Sequence, residues 1–345
     1  MHSIDPEKII AKIKQVKATV LPDFYLDIIV DPQMSFKELM TQIDTIYTRG
    51  GGNLLGPEIQ FIPGGNGGNV ARTLGKLGVP TTFITETSTF GANLIEFFMH
   101  PLGIKTSISK SGFTASSLIL EIPHVDSGKS NVMLSSAGSV VDFSPDKLTS
   151  DQWNILGNST IIAITNAQNM KMVELVETIL DQIPPSVKIS IDFSDLTPHV
   201  KRIDGFRKRL FAHPTRIPSL VVGNESEICL LANQPKESPE KAIKNLSMTY
   251  PEIIFGLHTA RKSEVWINGD RKAIEPSFKV SIQKATGAGD AWHAGFLLGW
   301  CIGLTFSEVT KLANATAAQW IAGNNGSLIN IIKVFHDSPC YTIDK

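Results

Sequence analysis

Two glycine-rich stretches, far apart in the chain, carry the residue types best suited to chemistry. One is Lys284-Ala285-Thr286-Gly287-Ala288-Gly289-Asp290, followed by an apolar run through Ala291, Ala294, Phe296, Leu297, Leu298 and Trp300. Glycines without a Cβ let the backbone turn tightly and aim several N–H groups at one point. A helix starting there adds unpaired N–H groups and a favourable dipole, so the stretch suits an anion such as phosphate. Asp290 closes the loop. Its carboxylate could accept the proton of an attacking hydroxyl as general base, and the helix N-terminus is expected to keep it ionised. The simpler role for an aspartate here is an N-cap.

The other stretch is Pro63-Gly64-Gly65-Asn66-Gly67-Gly68-Asn69-Val70-Ala71-Arg72-Thr73-Leu74-Gly75-Lys76-Leu77-Gly78. Val70, Ala71, Leu74 and Leu77 share one helical face, and Gly78 suits its C-terminal end. The glycines leave room for a ligand against the backbone. Asn69 can donate and accept hydrogen bonds at the helix start. The spacing is not the G-x-G-x-x-G of a first βα turn, which sets a dinucleotide site aside.

These loops need a scaffold. Short β-branched runs predict strands at Ala18–Leu21, Asp27–Val30, Thr81–Thr85, Ser117–Glu121, Asn131–Ser135, Thr160–Thr165, Lys188–Phe193, Ser219–Val222, Ile253–His258 and Glu264–Asn268. Helices are predicted at Asn69–Leu77, Ala92–Met99, Ser150–Leu156, Met170–Gln182, Gly205–Ala212, Ser226–Ala232, Pro239–Thr249, Asp290–Gly303 and Thr305–Ala322. Strands apolar throughout imply a sheet covered on both faces. Their alternation with helices implies parallel strands, with ligands beyond the carboxyl ends. Two segments break the alternation. Thr114–Ser136 reads as a hairpin turning at Asp126-Ser127-Gly128. Asp31–Pro63 is long and carries Gly50-Gly51-Gly52-Asn53. Both are expected to form a lid, or else to be plain insertions.

The 345 residues are 42% hydrophobic and 19% charged, enough for a packed core. A net charge of −1 argues against a general nucleic-acid binder. Cys229, Cys301 and Cys340 form no C-x-x-C pair, so neither a zinc cage nor a disulfide framework is indicated. Met1–Lys17 reads as a short charged helix. The most apolar stretch, Ala294–Leu304, is too short to span a bilayer. A cytoplasmic protein without membrane contact is expected.

Together the two stretches resemble the ribokinase family, the PfkB carbohydrate kinases, with their G-G-x-x-x-N-x-A helix start and D-T-x-G-A-G-D loop. A third match is Asn224-Glu225-Ser226-Glu227, similar to the family's N-x-x-E at a strand end. The resemblance runs from about Thr19 to Ser327. It implies an α/β, ribokinase-like fold: a mostly parallel central sheet, helices on both faces and a small β lid. Residues 1–345 would form a single domain, with lid segments at about 28–62 and 112–137.

The function so implied is transfer of a phosphoryl group from ATP, or ADP, to a hydroxyl of a sugar or sugar derivative. Asp290 would be the base, and the backbone of Gly287, Ala288 and Gly289 the anion hole. Asn224, Glu227 and Thr286 would serve the nucleotide, with Glu227 holding Mg2+ through water. Asp27, Gly65 and Asn69 would bind the acceptor. A nucleoside acceptor would need an apolar slot, for which Phe24, Phe61 and Phe113 are candidates. A sugar phosphate would need cations such as Arg49, Lys105 or Lys129. A binding protein without catalysis, or a vitamin-type kinase, is the competing class. Dimerisation through the lid is also expected.

The chain departs from the family in places. Lys284 and Ala285 replace the aspartate and threonine that open the loop, where relatives hold a monovalent cation. The Lys284 ammonium is expected to replace that ion, so K+ would not be required. Ile84–Gly91 keeps only Phe90-Gly91 of the usual G-x-V-G-D-D pattern. Thr259, Ala260 and Ser263 replace glycines in a loop that touches nucleotide in relatives, which leaves the donor open. Asp192-Phe193-Ser194-Asp195 differs from D-P-N-x-R.

Overall fold

The computed structural model describes residues 6–343 except 125–127, 169, 236–237, 285 and 324–325. Ala285, the Asp126-Ser127 turn and Met1–Asp5 of the expected first helix lie outside them.

Thirteen strands are described: β1 (Ala18–Leu21), β2 (Tyr25–Asp31), β3 (Glu58–Gly64), β4 (Thr81–Thr87), β5 (Lys105–Lys110), β6 (Ser116–His124), β7 (Gly128–Ser136), β8 (Ile161–Ile164), β9 (Lys188–Asp192), β10 (Leu220–Gly223), β11 (Ile254–His258), β12 (Lys262–Ile267) and β13 (Asp270–Pro276). Nine form one sheet in the order β13-β12-β11-β10-β9-β8-β1-β4-β5. It is parallel from β11 to β5, and β12 and β13 run antiparallel at one end. This is the ribokinase-like α/β sheet expected above.

Alternation along each buried strand sends side chains to opposite faces. Ile161 and Ala163 of β8 join one core with Phe83, Trp292 and Phe296. Ile162 and Ile164 join the other, with Phe193, Phe206 and Phe255. Both faces are therefore covered, which is why these strands read as continuous apolar runs.

The remaining strands form a separate sheet, β3-β2-β6-β7. β2 leaves the main sheet's β1 after three residues, pairs antiparallel with β3 and parallel with β6, and β6–β7 is the predicted hairpin. The Asp31–Pro63 segment is more ordered than expected. It holds the Phe36–Thr48 helix, started by a Ser35/Glu38 capping box, and then β3. β3, β5 and β13 were not predicted, nor was the Leu328–Asp337 helix. The predicted Gly205–Ala212 helix is the end of a longer stretch, wound from Thr197 to Phe211 through successive 3-10, α and π turns. Among the described residues no helix is long and apolar enough to cross a membrane.

Candidate active site

The first glycine stretch meets β2 at its start. The helix runs Asn66–Lys76, three residues earlier than predicted, from a Gly65 cap at φ 82°. A Cβ on Gly65 would lie 2.9 Å from the Asp23 carbonyl and from the Tyr25 nitrogen. Gly67 N–H donates to Asp23 Oδ1 at 3.0 Å and Gly68 N–H to the Asp23 carbonyl at 2.8 Å. These glycines therefore serve close backbone packing against residues 23–25. Only Gly64 faces a cavity, where an added Cβ would overlap the Asp27 carboxylate.

Starting the helix at residue 66 puts Asn66 and Asn69 on one face, one turn apart. Both side chains reach the second glycine stretch. Asn66 Nδ2 donates to Asp290 Oδ1 and Asn69 Nδ2 to Asp290 Oδ2, each at 2.9 Å. The two ends of the chain thus meet at one carboxylate. Asn66 was not singled out from sequence, although its spacing from Asn69 was visible.

The second helix runs Ala288–Cys301, and its cap is Gly287 in the left-handed region, φ 83°. A side chain at 287 would press on Trp320 and on Asn69 Nδ2, 2.8 and 3.1 Å from the new Cβ. Asp290 lies in the first helical turn and is not the N-cap. It is only 5% exposed. The expectation that the helix end keeps it ionised is overturned. Burial pushes Asp290 up to about 7, with Asp23 and Glu227 adding repulsion, against the lowering effect of Asn69 and Asn66. Such a carboxyl is poised to take a proton near neutral pH.

Asp290 belongs to a group of buried acids at the carboxyl ends of the strands. Burial raises Asp23, Asp192 and Glu227 as well, and Glu227 and Asp290 push Asp192 further. Asp23 and Asp192 were not chosen from sequence; Asp192 was noted only as part of a departure from the family pattern. Asn224 and Glu227 form a capping box at the start of the Glu225–Leu231 helix. Glu227 N–H donates to Asn224 Oδ1, and Glu227 takes hydrogen bonds from Asn224 N and Nδ2, both at 2.8 Å. The N-x-x-E spacing thus has a structural reason of its own. Among the described residues no three His, Cys, Asp or Glu groups are arranged to hold a metal ion.

Two cavities flank the 286–290 loop. One, of about 670 Å3, lies under the lid and is lined by Asp27, Gly64, Asn69, Lys284 and Thr286. The other, of about 350 Å3, is lined by Asn224, His258, Ala288, Gly289 and apolar residues including Trp292 and Ala317. Thr286 therefore sits on the lid side, where its carbonyl accepts from Trp320 Nε1 at 2.8 Å. Gly65, Gly287, Glu227 and Asp290 itself line neither cavity; Asp290 is buried behind Gly289 and Asn69, which do. Asp27 is pushed up to about 6 by burial, with Lys284 opposing.

Phe24 is buried in the core, and Phe61 and Phe113 are exposed outside both cavities, so none supplies the apolar slot expected for a nucleoside. Ile29, Ile62, Ile119 and Met133 line the lid cavity instead. Of the cations named for a sugar phosphate, Arg49 turns to the Gly51 carbonyl and Lys105 sits on β5. The Lys129 side chain lies outside what is described.

Comparison with known proteins bears on the family and the fold. The sequence model for the pfkB family carbohydrate kinases matches residues 34–329. A 1-phosphofructokinase of Borreliella burgdorferi is 24% identical over 269 residues, 76% of this chain and 82% of the relative. An adenosine kinase from Sinorhizobium meliloti superposes with a TM-score of 0.72 at 17% identity, over 92% of this chain and 97% of the other. A ribokinase from Arabidopsis thaliana complexed with ribose and ATP gives 0.71 at 16%, over 93% and 98%. Both glycine stretches fall inside the family match, and the chain belongs to the pfkB family of carbohydrate kinases, phosphotransferases with an alcohol group as acceptor.

Proposed function

We propose that this kinase phosphorylates a hydroxyl of a neutral, polyhydroxylated sugar or sugar derivative, with ATP as donor and Asp290 as general base. The observation that carries this is the Asp290 carboxyl, buried, raised to about 7 and held by Asn66 and Asn69, next to Gly289 of one cavity wall and bonded to Asn69 of the other. The acceptor would lie under the lid, with the transferring hydroxyl against Asp290. Asn69 Oδ1 is buried with no partner there, and is ready to accept from a second hydroxyl alongside Asp27. Among the described residues, Asp27 and Glu58 line this cavity together with the Lys284 ammonium, a balance that does not favour a phosphorylated acceptor.

The donor would fill the smaller cavity and present its terminal phosphate to the start of the Ala288–Cys301 helix. N–H groups of a first helical turn lack intrahelical partners, so those of 287–289 are suited to charge developing in transfer. Asp192 and Glu227, close enough that Glu227 pushes Asp192 upward, are the acids that would face Mg2+. They would hold it with Asn224, largely through water. Mg2+ would offset phosphate charge during transfer. Lys284 sits with its ammonium 4.6 Å from the Trp320 ring centroid, and Trp320 braces the Thr286 carbonyl. This supports an ammonium in place of K+ beside the loop.

A nucleoside acceptor is the second reading, favoured by the apolar row Ile29, Ile62, Ile119 and Met133. The lid's outer face carries Ile59, Phe61, Leu118, Val132 and Leu134, all exposed. Cover from the lid of a second copy would give a homodimer. A cytoplasmic location accords with this chemistry.

The test is an assay of ATP and ADP against sugars, sugar phosphates and nucleosides, with Asp290→Asn alongside. The variant is expected to lose about 10²–10⁴ in turnover. Equal rates in both proteins remove Asp290 from the mechanism. Tight binding of acceptor with no turnover on either donor favours a binding protein.

A further inference from the structure

The family match stops at residue 329, yet a residue beyond it lines the smaller cavity. After the Leu328–Asp337 helix the chain returns across the main sheet's end and joins the segment that follows β13. Lys279 N–H donates to the Pro339 carbonyl at 2.8 Å, and Tyr341 N–H donates to the Ser277 carbonyl at 2.9 Å. Phe278 and Cys340 form an antiparallel bridge between these bonds. The pairing fixes Tyr341, half-buried, in the cavity wall beside Ser277 and Phe278. The Lys279 ammonium lies 5.4 Å from the Tyr341 ring centroid, which steadies the ring by cation–π attraction.

The rest of that wall favours a flat, apolar guest. Val280, Ile282 and Ile321 supply apolar surface, and Ala260, Ala317 and Ala318 are small enough to leave a slot. His258 lies against Gly289, where the phosphates would go, and the other polar lining groups include Asn224, Glu225, Thr259, Ser277 and Asn314. An aromatic ring in such a wall can stack on a nucleobase, since every base presents a π-face.

We infer that Tyr341 is a donor-binding residue: its ring stacks on the base of the nucleotide, and the segment 338–343, beyond the family match, is a wall of the donor site. The inference rests on the reading that the smaller cavity takes the nucleotide. It extends that reading to the base, while the catalytic loop handles the phosphates.

Isothermal titration of the full chain tests it, with ADP and with inorganic tripolyphosphate as separate probes in the presence of Mg2+. Tyr341→Ala is expected to weaken ADP about tenfold, equivalent to about 1.4 kcal/mol. It should leave tripolyphosphate affinity and the acceptor KM unchanged. Tyr341→Phe, which keeps the ring, should bind ADP like the parent. Parental ADP affinity in Tyr341→Ala overturns the inference and leaves the nucleotide reading intact. Equal weakening of ADP and tripolyphosphate also overturns it, because a collapsed wall and not a lost ring contact would be at work. If the parent protein binds neither ADP nor ATP, the nucleotide reading of the cavity falls, and this inference with it.

Discussion

Asn69 and Asp290 are 221 residues apart in sequence and 2.9 Å apart in space, the amide of one donating to the carboxylate of the other. With Asn66 on the second oxygen, the Asp290 carboxylate of one glycine stretch is oriented by the helix of the other. Orientation and acidity are therefore set together. Each amide hydrogen bond favours the ionised carboxyl, while burial and the neighbouring acids favour the protonated one.

The pH profile should report this balance. A base must be ionised to act, so kcat/KM should rise with pH along a limb centred near 7, the value to which Asp290 is pushed. Asn66→Ala or Asn69→Ala removes a bond that lowers Asp290, so the limb should move to higher pH. A shift of roughly one unit matches one charge-assisted hydrogen bond of about 1.5 kcal/mol. A limb that stays in place in both variants would show that another group controls it.

Stability should carry the opposite signature. Asp290 is raised in the folded chain from an ordinary value of 3.8 to about 7. Its contribution to stability is therefore complete below pH 4 and is lost as pH rises through about 7. Asp290→Asn has no charge to bury. Its melting temperature relative to the parent should climb between pH 4 and pH 7 and level off above. Melting curves with a constant offset across that range would contradict the raised carboxyl.

Glu227→Gln should retain much of the Asn224 capping geometry, since an amide oxygen can still accept from the cap, while removing the charge. Its Mg2+ requirement in the kinase assay is expected to rise about 10–100-fold. Unchanged Mg2+ dependence would leave Glu227 as a helix cap alone.

Gly64→Ala should spare the fold, because the left-handed region is not used at Gly64, yet the new methyl would displace the Asp27 carboxylate. The acceptor KM is expected to rise about 10–100-fold, the scale of a displaced binding group, with the KM for ATP unchanged. Equal loss on both substrates would mean general damage instead.

With Lys284 beside the loop, rates in K+ and in tetramethylammonium should be equal. Strong stimulation by K+ would show that Lys284 does not stand in for the ion. Lys284→Met should lower activity in either salt. A variant as active as the parent would make Lys284 a bystander.

The strands missed from sequence share one position. β5 and β13 are the edges of the main sheet and β3 is an edge of the lid. Edge strands are covered less fully, so Lys105–Lys110 and Asp270–Pro276 never show a continuous apolar run. The buried strand β1 matched its predicted bounds, and β8 to β11 lie within one residue of theirs, because both of their faces must be apolar. The Phe36–Thr48 helix was hidden for a related reason: it buries Leu39 alone and leaves Phe36, Met40 and Tyr47 exposed.

What the amino-acid order determined by itself was whatever short-range sterics dictates: the glycine turns, the helix that each begins, and Asp290 at the head of the second. Only the tertiary structure decided what those pieces do for one another. It made Asn66 a partner of Asp290, turned Gly65, Gly67 and Gly68 toward the backbone of residues 23–25, and set Tyr341 in the wall of the smaller cavity. It also raised Asp290 where the helix end alone would lower it. A helix dipole is local and can be read from sequence, but desolvation by residues hundreds of positions away is stronger, and it exists only once the chain has closed around the site.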